Sequence, residues 1–338
     1  MPEAFRVALL DDYQGVALEM ADWAALGPGA AVEAFRDHVR DEAALLRRLA
    51  PFDAIVAMRE RTPFPERTLA GLPRLRLLVT TGMRNASIDI EAATRLGVVT
   101  CGTEGLAPPT VELTWALILA AVRRIPQEDR ATREGRWQTS LGAGLHGKTL
   151  GVIGLGRLGS QVGAIGRAFG MRLLGWSQNL TAARAAECGA ERVTKEELLA
   201  QSDVVTIHLQ LSNRTRGLIG ADDLRRMKPT AYLVNTSRGP IVDETALVEM
   251  LRAGAIAGAA IDVFDEEPLP PGHPFLSLDN LVLSPHLGYV TRENYEIFYR
   301  DAAADVAAFL RGAPERVLNP AVLDQSRDRG TFPGGPTR

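Results

Sequence analysis

KTLGVIGLGRLG, residues 148–159, is the stretch from which the rest of the chain is read. Leu150 to Ile153 read as a short buried strand. Gly154, Gly156 and Gly159 then form G-x-G-x-x-G, and Ser160 to Phe169 continues with helical apolar spacing. Strand, glycine turn and helix in that order suit a dinucleotide pyrophosphate. The first glycine permits the tight turn, the second lets the backbone approach the phosphates, and the third lets the helix pack close to the strand. The helix start then offers unpaired N–H groups and a positive dipole end to the anion.

Working outward, 338 residues are too many for most single cores and favour two domains. The formal charge is 38 − 41 = −3 with no long basic run, which argues against a nucleic-acid or membrane-surface partner. Cys101 and Cys188 are too few for a disulfide framework, so a reducing cytoplasm is expected. Neither a signal peptide nor a membrane-spanning run stands out. No Cys/His cluster has metal-ligand spacing, so no metal is expected.

Before the glycine motif, strands are expected at Phe5–Leu10, Ala54–Ala57, Leu75–Thr81 and Val98–Thr100, with a helix over Asp41–Leu49. They make an α/β unit without a phosphate loop. Gly102–Pro109 reads as a hinge, and the apolar helix Thr110–Arg124 as one lying between domains or subunits. Residues 125–145, with Trp137, read as a polar arm suited to a subunit contact. From Lys148 strands and helices alternate up to a strand at Leu281–Ser284, a doubly wound parallel pattern. Thr291–Arg311 is a long helix returning to the first unit, and a tail from about 325 to 338 is expected to be disordered.

Three strand ends beside the glycine loop carry reactive residues: Arg238 in NTSRG, Glu267 in DVFDEEP and His286 in SPHLG. Each alone has a plainer reading, as a surface ion pair, an acidic turn or a loop histidine. Converging on one crevice, they form a coherent set. Arg238 can hold a carboxylate through two parallel hydrogen bonds. His286 can give a proton to a ketone oxygen or take it back. Glu267 can fix the imidazole tautomer, a task that spacing alone would equally allow Glu266. His208 has apolar neighbours and suits a structural role, while His38, His146 and His273 show no partner. Ser177, 18 residues after Gly159, stands where a carboxylate would select NAD over NADP. Arg59 and Arg61 end a strand and read equally as ligand contacts or solvated cations.

The ordered set of HGKTLGVIGLGRLG, DVVTIHLQLSNRTRGLI, MKPTAYLVNTSRGPIVDETAL, AAIDVFDEEPLPPGHPF and LSPHLGY resembles the D-isomer-specific 2-hydroxyacid dehydrogenase family, over about Ala54 to Arg311. That family includes phosphoglycerate, glyoxylate and hydroxypyruvate dehydrogenases or reductases. The resemblance implies two Rossmann-like α/β domains with doubly wound parallel sheets. A flavodoxin-like substrate domain would take 1–103 plus 291–338, and an NAD(P)-binding domain 104–290. It implies an oxidoreductase interconverting a small 2-keto acid and its D-2-hydroxy acid, with Arg238, Glu267 and His286 catalytic.

By the same resemblance Arg157 and Leu158 lie over the pyrophosphate with Gly154, Gly156 and Gly159. Thr236 and Ser237 line the nicotinamide, Asp262 bonds its amide, and Ser177 and Gly288 join the cofactor set. The backbone N–H groups of Thr81-Gly82-Met83 would bind the substrate carboxylate, and Arg59 or Arg61 its distal end. A homodimer is expected, as is the absence of a C-terminal regulatory domain. Ser177, and Gln210-Leu-Ser in place of the usual Pro-Leu-Thr, leave NAD and NADP both open. Other readings are a same-fold dehydrogenase for a donor such as formate or phosphite, and a dinucleotide-sensing binding protein.

Overall fold

The computed structural model describes residues 3–328. One compact unit runs to Leu106 and resumes at Thr291; the other spans Ala107–Val290.

The first unit is a five-stranded sheet of β1 (Phe5–Leu9), β2 (Ala30–Ala34), β3 (Ala54–Ala57), β4 (Leu77–Thr80) and β5 (Val99–Gly102), with helices α1 (Glu42–Leu49), α2 (Glu66–Ala70) and α3 (Ile90–Arg95). The strand order is β2-β1-β3-β4-β5, every pair parallel, which is the flavodoxin-like order. β3, β4 and β5 are buried on both faces and so read as continuous apolar or small-residue runs. β2 escaped sequence reading because it is an edge strand. Its AAVEA alternates half-buried with exposed residues and buries no side chain fully. Asp41 and Asp89 cap α1 and α3 by accepting from Ala44 N and Ala92 N.

In the second unit seven strands form one parallel sheet: β6 (Thr149–Ile153), β7 (Arg172–Trp176), β8 (Glu191–Arg192), β9 (Val204–Ile207), β10 (Tyr232–Asn235), β11 (Gly258–Ile261) and β12 (Leu281–Leu283). The helices are α4 (Pro108–Val122), α5 (Ile125–Arg133), α6 (Arg157–Ala168), α7 (Ala182–Glu187), α8 (Lys195–Gln201), α9 (Ala221–Leu224) and α10 (Glu244–Arg252). The order β12-β11-β10-β9-β6-β7-β8 reverses at β6, which pairs with both β7 and β9. That reversal is the switch point at which open α/β sheets bind ligands, outside the carboxyl ends of the strands. Two apolar layers flank the sheet: Leu198, Val205, Leu233 and Leu247 on one face, and Ile118, Leu150, Val152 and Val162 on the other. Each fully buried aliphatic side chain of this kind contributes about 1.5–3 kcal/mol.

α4 packs on its own unit's sheet, with Trp115 Nε1 donating to Val162 O at 3.1 Å and its ring stacked 4.8 Å from Phe169. The expected polar arm is helical over α5, and beyond it Trp137 and Leu141 are 78% and 97% exposed.

The chain then supplies α11 (Arg292–Leu310) and α12 (Ala321–Asp328) to the first unit. Thr291 caps α11, which buries Tyr295, Phe298, Tyr299, Val306 and Phe309 at helical spacing. Asn319 fastens the next segment to β5, accepting from Thr100 N at 2.8 Å and donating to Val98 O at 2.9 Å. α12 is thus helical through residues 325–328, where the disordered tail was expected to begin, and 329–338 of that tail lie outside the described residues. Among the described residues no helix is long and apolar enough to cross a membrane, and no three His, Cys, Asp or Glu are grouped to hold a metal.

Candidate active site

The glycine loop joins β6 to α6. Gly154 has φ +101, and a Cβ there would lie 2.8 Å from His208 O, so both conformation and space require glycine. A Cβ on Gly159 would lie 2.0 Å from Gly154 O. Gly156 differs: its Cβ would meet nothing within 4 Å, so the ground above the loop is open. Gly156 also begins α6 without any side-chain cap, whereas Asp41, Asp89, Thr181, Thr194, Asp243 and Thr291 cap other helices. An uncapped helix start behind an open glycine floor fits a dinucleotide pyrophosphate, with Arg157 and Leu158 in the first turn. We expect Gly159→Ala to push α6 off β6 and weaken NADH binding by about 10-fold or more, on the scale of a 1–3 kcal/mol overpacking cost, with the secondary structure kept. Fluorescence titration of NADH checks this.

Ser177 follows β7 and brings no carboxylate. Beside it a cavity of about 570 Å³ is lined by Trp176, Gln178, Arg192, Lys195 and Leu218, among others. The lining sets the cations Arg192 and Lys195 beside the acids Glu196 and Glu197, so its charges alone select neither NAD nor NADP.

Three loops at the carboxyl ends of β10, β11 and β12 build the candidate reactive centre. After β10, Asn235 folds the turn: its Oδ1 accepts from Ser237 N at 3.0 Å and its Nδ2 donates to Arg238 O at 2.9 Å. Thr236 is tied to Thr114 of α4 at 2.8 Å, Ser237 donates to Leu209 O, and Arg238 Nη1 donates to Ser237 O at 2.6 Å. Gly239 lets this loop press on the next: a Cβ there would lie 2.1 Å from the Phe264 carbonyl carbon.

On that second loop Glu267 faces inward. Its Oε1 accepts from Phe264 N at 3.0 Å and its Oε2 lies 2.5 Å from His286 Nδ1. Glu267, and not Glu266, therefore meets the histidine. Burial pushes the Glu267 carboxyl up, but the His286 hydrogen bond and charge, the Phe264 amide and the Arg238 guanidinium hold it below the ordinary range. An ionised carboxylate is an acceptor only, so Nδ1 of His286 carries a proton and Nε2 is left for exchange.

His286 itself has φ +55, a conformation most side chains avoid. Asp262 stabilises it. That carboxylate, 0% exposed, accepts from Ser284 Oγ at 2.6 Å, Leu287 N at 2.7 Å and Gly288 N at 3.0 Å, bracketing the histidine. Burial raises the Asp262 carboxyl despite these bonds and the charge of His286. Thr110 Oγ1 donates to Gly288 O at 2.7 Å, and the His286 ring packs edge-on to Tyr289 at 5.4 Å. Asp262, expected only as a cofactor contact, is thus also the residue that shapes the histidine turn. A Ser two residues before the histidine is the one signal in the sequence, and it is weak.

His208 packs against Thr206 Oγ1 at 2.9 Å, and burial pushes its imidazole down to about 4, so it is neutral. Two histidines without an evident partner in the sequence have one: His38 lies 2.9 Å from Asp11, and His273 3.3 Å from Glu244.

In the first unit Thr81, Gly82 and Met83 form a turn after β4. Two of the three N–H groups expected to receive a carboxylate are already used. Thr81 N donates to Ala57 O at 3.0 Å and Gly82 N to Thr103 Oγ1 at 2.8 Å. Gly82 has φ +91, and a Cβ there would lie 1.8 Å from Arg59 Nη1, which donates to Thr81 O at 3.1 Å. Arg59 therefore lies on this turn. Arg61 lies elsewhere, over the Tyr13 ring at 4.7 Å with Nη1 donating to Asp11 O at 3.3 Å. The two arginines do not share one position.

Residues 115–288 match the family described as D-isomer specific 2-hydroxyacid dehydrogenase, NAD binding domain. A glyoxylate reductase of Aeropyrum pernix is 46% identical over 266 residues, covering 75% of this chain and 79% of that protein. A D-3-phosphoglycerate dehydrogenase of Archaeoglobus fulgidus is 39% identical, covering 80% of this chain but 52% of that longer protein. The crystal structure of a phosphoglycerate oxidoreductase from Vibrio cholerae superposes with a TM-score of 0.87 at 40% identity, covering 91% of this chain and all of that one.

Proposed function

The chain belongs to the D-isomer-specific 2-hydroxyacid dehydrogenase family of NAD(P)-dependent oxidoreductases acting on CH–OH groups, and on that footing we propose that it interconverts a small 2-keto acid and its D-2-hydroxy acid. The observation that carries this reading is the His286–Glu267 pair at 2.5 Å, with the Arg238 loop packed on the loop bearing Glu267. A nicotinamide held by the glycine loop and the residues named below would supply hydride chemistry at the substrate's C2.

Arg238 holds the substrate carboxylate and polarises the neighbouring carbonyl. His286 Nε2 gives its proton to the carbonyl oxygen during reduction and takes it from the hydroxyl during oxidation. Glu267 keeps Nδ1 protonated and stabilises the imidazolium. Asp262, Ser177, Thr236, Ser237 and Gly288 serve the cofactor. The turn at Thr81–Met83 serves the substrate through Met83 N–H, with Arg59 alongside. We assign Trp137 and Leu141 to a contact with a second copy of the chain.

The experiment is loss of nicotinamide absorbance with NADH and with NADPH, against glyoxylate, hydroxypyruvate, pyruvate and phosphohydroxypyruvate. Turnover of glyoxylate is expected first, because a relative with that name is 46% identical. Binding of either nucleotide without turnover of any keto acid would sink the proposal, in favour of another donor or a dinucleotide-sensing role.

A further inference from the structure

A second histidine–carboxylate pair lies next to the one proposed as the proton relay, and nothing in that relay uses it. Glu244, the first residue of α10, is half-buried. Its Oε1 accepts from Asp265 N at 2.7 Å and its Oε2 faces His273 Nε2 at 3.3 Å. His273 Nδ1 accepts from Phe275 N at 3.2 Å, so the ring's proton is on Nε2 and points at Glu244. The ring packs on Phe275 at 4.8 Å, and Phe275 on Phe264 at 6.3 Å.

Asp265 and His273 stand on either side of Glu267 in the chain. One carboxylate thus ties both ends of the loop on which Glu267 sits. The same loop is pressed from below by Gly239, where a Cβ would come 2.6 Å from Asp265 N. The Phe264 amide that orients Glu267 is one peptide from the amide that Glu244 holds. The charged groups facing Glu244 are Asp265 and His273, with Asp243 and Arg216 acting on Asp265. Burial, and then Asp265, push the Glu244 carboxyl up, while the Asp265 amide and His273 oppose them. Such a carboxylate is not placed there for its own solvation.

We propose that Glu244 and His273 are positioning residues for the proton relay, clamping the 265–273 loop at both ends so that Glu267 meets His286. This rests on the reading of His286 and Glu267 as that relay. A misplacement of Glu267 by about 1 Å is enough to cost about 10- to 10²-fold in turnover.

The test is a double-mutant cycle of Glu244→Ala and Glu267→Gln, following kcat and the pH profile of kcat/KM. Alone, Glu244→Ala should lower kcat about 10-fold or more with the keto-acid KM little changed, and move the pH profile in the same direction as Glu267→Gln. In the Glu267→Gln background it should add little, because it acts through that residue. Glu244→Gln, which keeps an acceptor for Asp265 N, should recover part of the loss, and it carries the comparison if the alanine variant does not fold.

Losses that add, or an unmoved pH profile, would overturn the clamp. Proton NMR of the His286 Nδ1–H gives a readout free of turnover. The signal should be present in the parent and broadened by exchange in Glu244→Ala. If the parent reduces no keto acid while this signal still responds to Glu244, the functional reading fails and the clamp stands. A signal unchanged in Glu244→Ala would overturn the clamp.

Discussion

Replacing His286 with asparagine is expected to lower kcat by about 10²–10⁴-fold while leaving the affinity for NADH unchanged. That range is what a positioned proton donor contributes to a carbonyl reduction. Asparagine is the informative substitution because it tolerates the left-handed backbone at φ +55 that residue 286 adopts. It therefore removes the proton and keeps the turn that Asp262 holds through Leu287 N and Gly288 N. His286→Ala removes the proton too, but adds strain at the same φ. Equal losses in both variants locate the effect in proton transfer. The nucleotide is expected to bind as before because its phosphates are assigned to the uncapped start of α6. Steady-state kinetics with fluorescence titration of NADH separates the two quantities, and an asparagine variant with parental kcat would remove His286 from the mechanism.

Arg238→Ala is expected to lower kcat/KM for the keto acid by about 10²–10³-fold, the cost typical of losing a preorganised donor to a developing oxyanion. Both kcat and KM should suffer. In the proposed role the guanidinium would hold the carboxylate in the ground state and polarise the carbonyl in the transition state. Lysine should restore only part, since a point charge cannot present two parallel donors. The loop should survive, because Asn235 folds it through the backbone of residues 237 and 238, independent of the side chain at 238. Nucleotide affinity should again hold. An alanine variant with parental kcat/KM would show that the carboxylate is held elsewhere.

Most of this architecture is legible in the sequence. β3, β4, β6, β9, β10 and β11 are each covered on both faces, so they appear as unbroken apolar or small-residue runs between helical stretches. β2 is not legible, because an edge strand of small residues carries no such signal. For α4 the sequence is less specific. Apolar periodicity shows that a helix is buried but not against what, and here the partners are its own sheet and α6.

At the candidate site, Arg238, Glu267 and His286 stand out in the sequence because their chemistry is local to short motifs. What stayed hidden depends on contacts far apart in the chain. Thr103 occupies the Gly82 amide, Glu244 reaches His273, and Asp262 brackets His286 from the preceding strand. Spacing could not choose between Glu266 and Glu267 either. The choice follows from Phe264 N, which turns the Glu267 carboxylate toward His286.

The most direct test of the relay is the pH dependence of kcat/KM measured in both directions, glyoxylate reduction and glycolate oxidation, for the parent and Glu267→Gln. In the proposed relay, reduction needs a protonated His286 and oxidation a neutral one. The account therefore predicts that reduction weakens as pH rises and oxidation weakens as pH falls. Both limbs should move to lower pH in Glu267→Gln, since a neutral amide no longer stabilises the imidazolium. Limbs of the same sign in the two directions, or limbs that ignore the substitution, would contradict it.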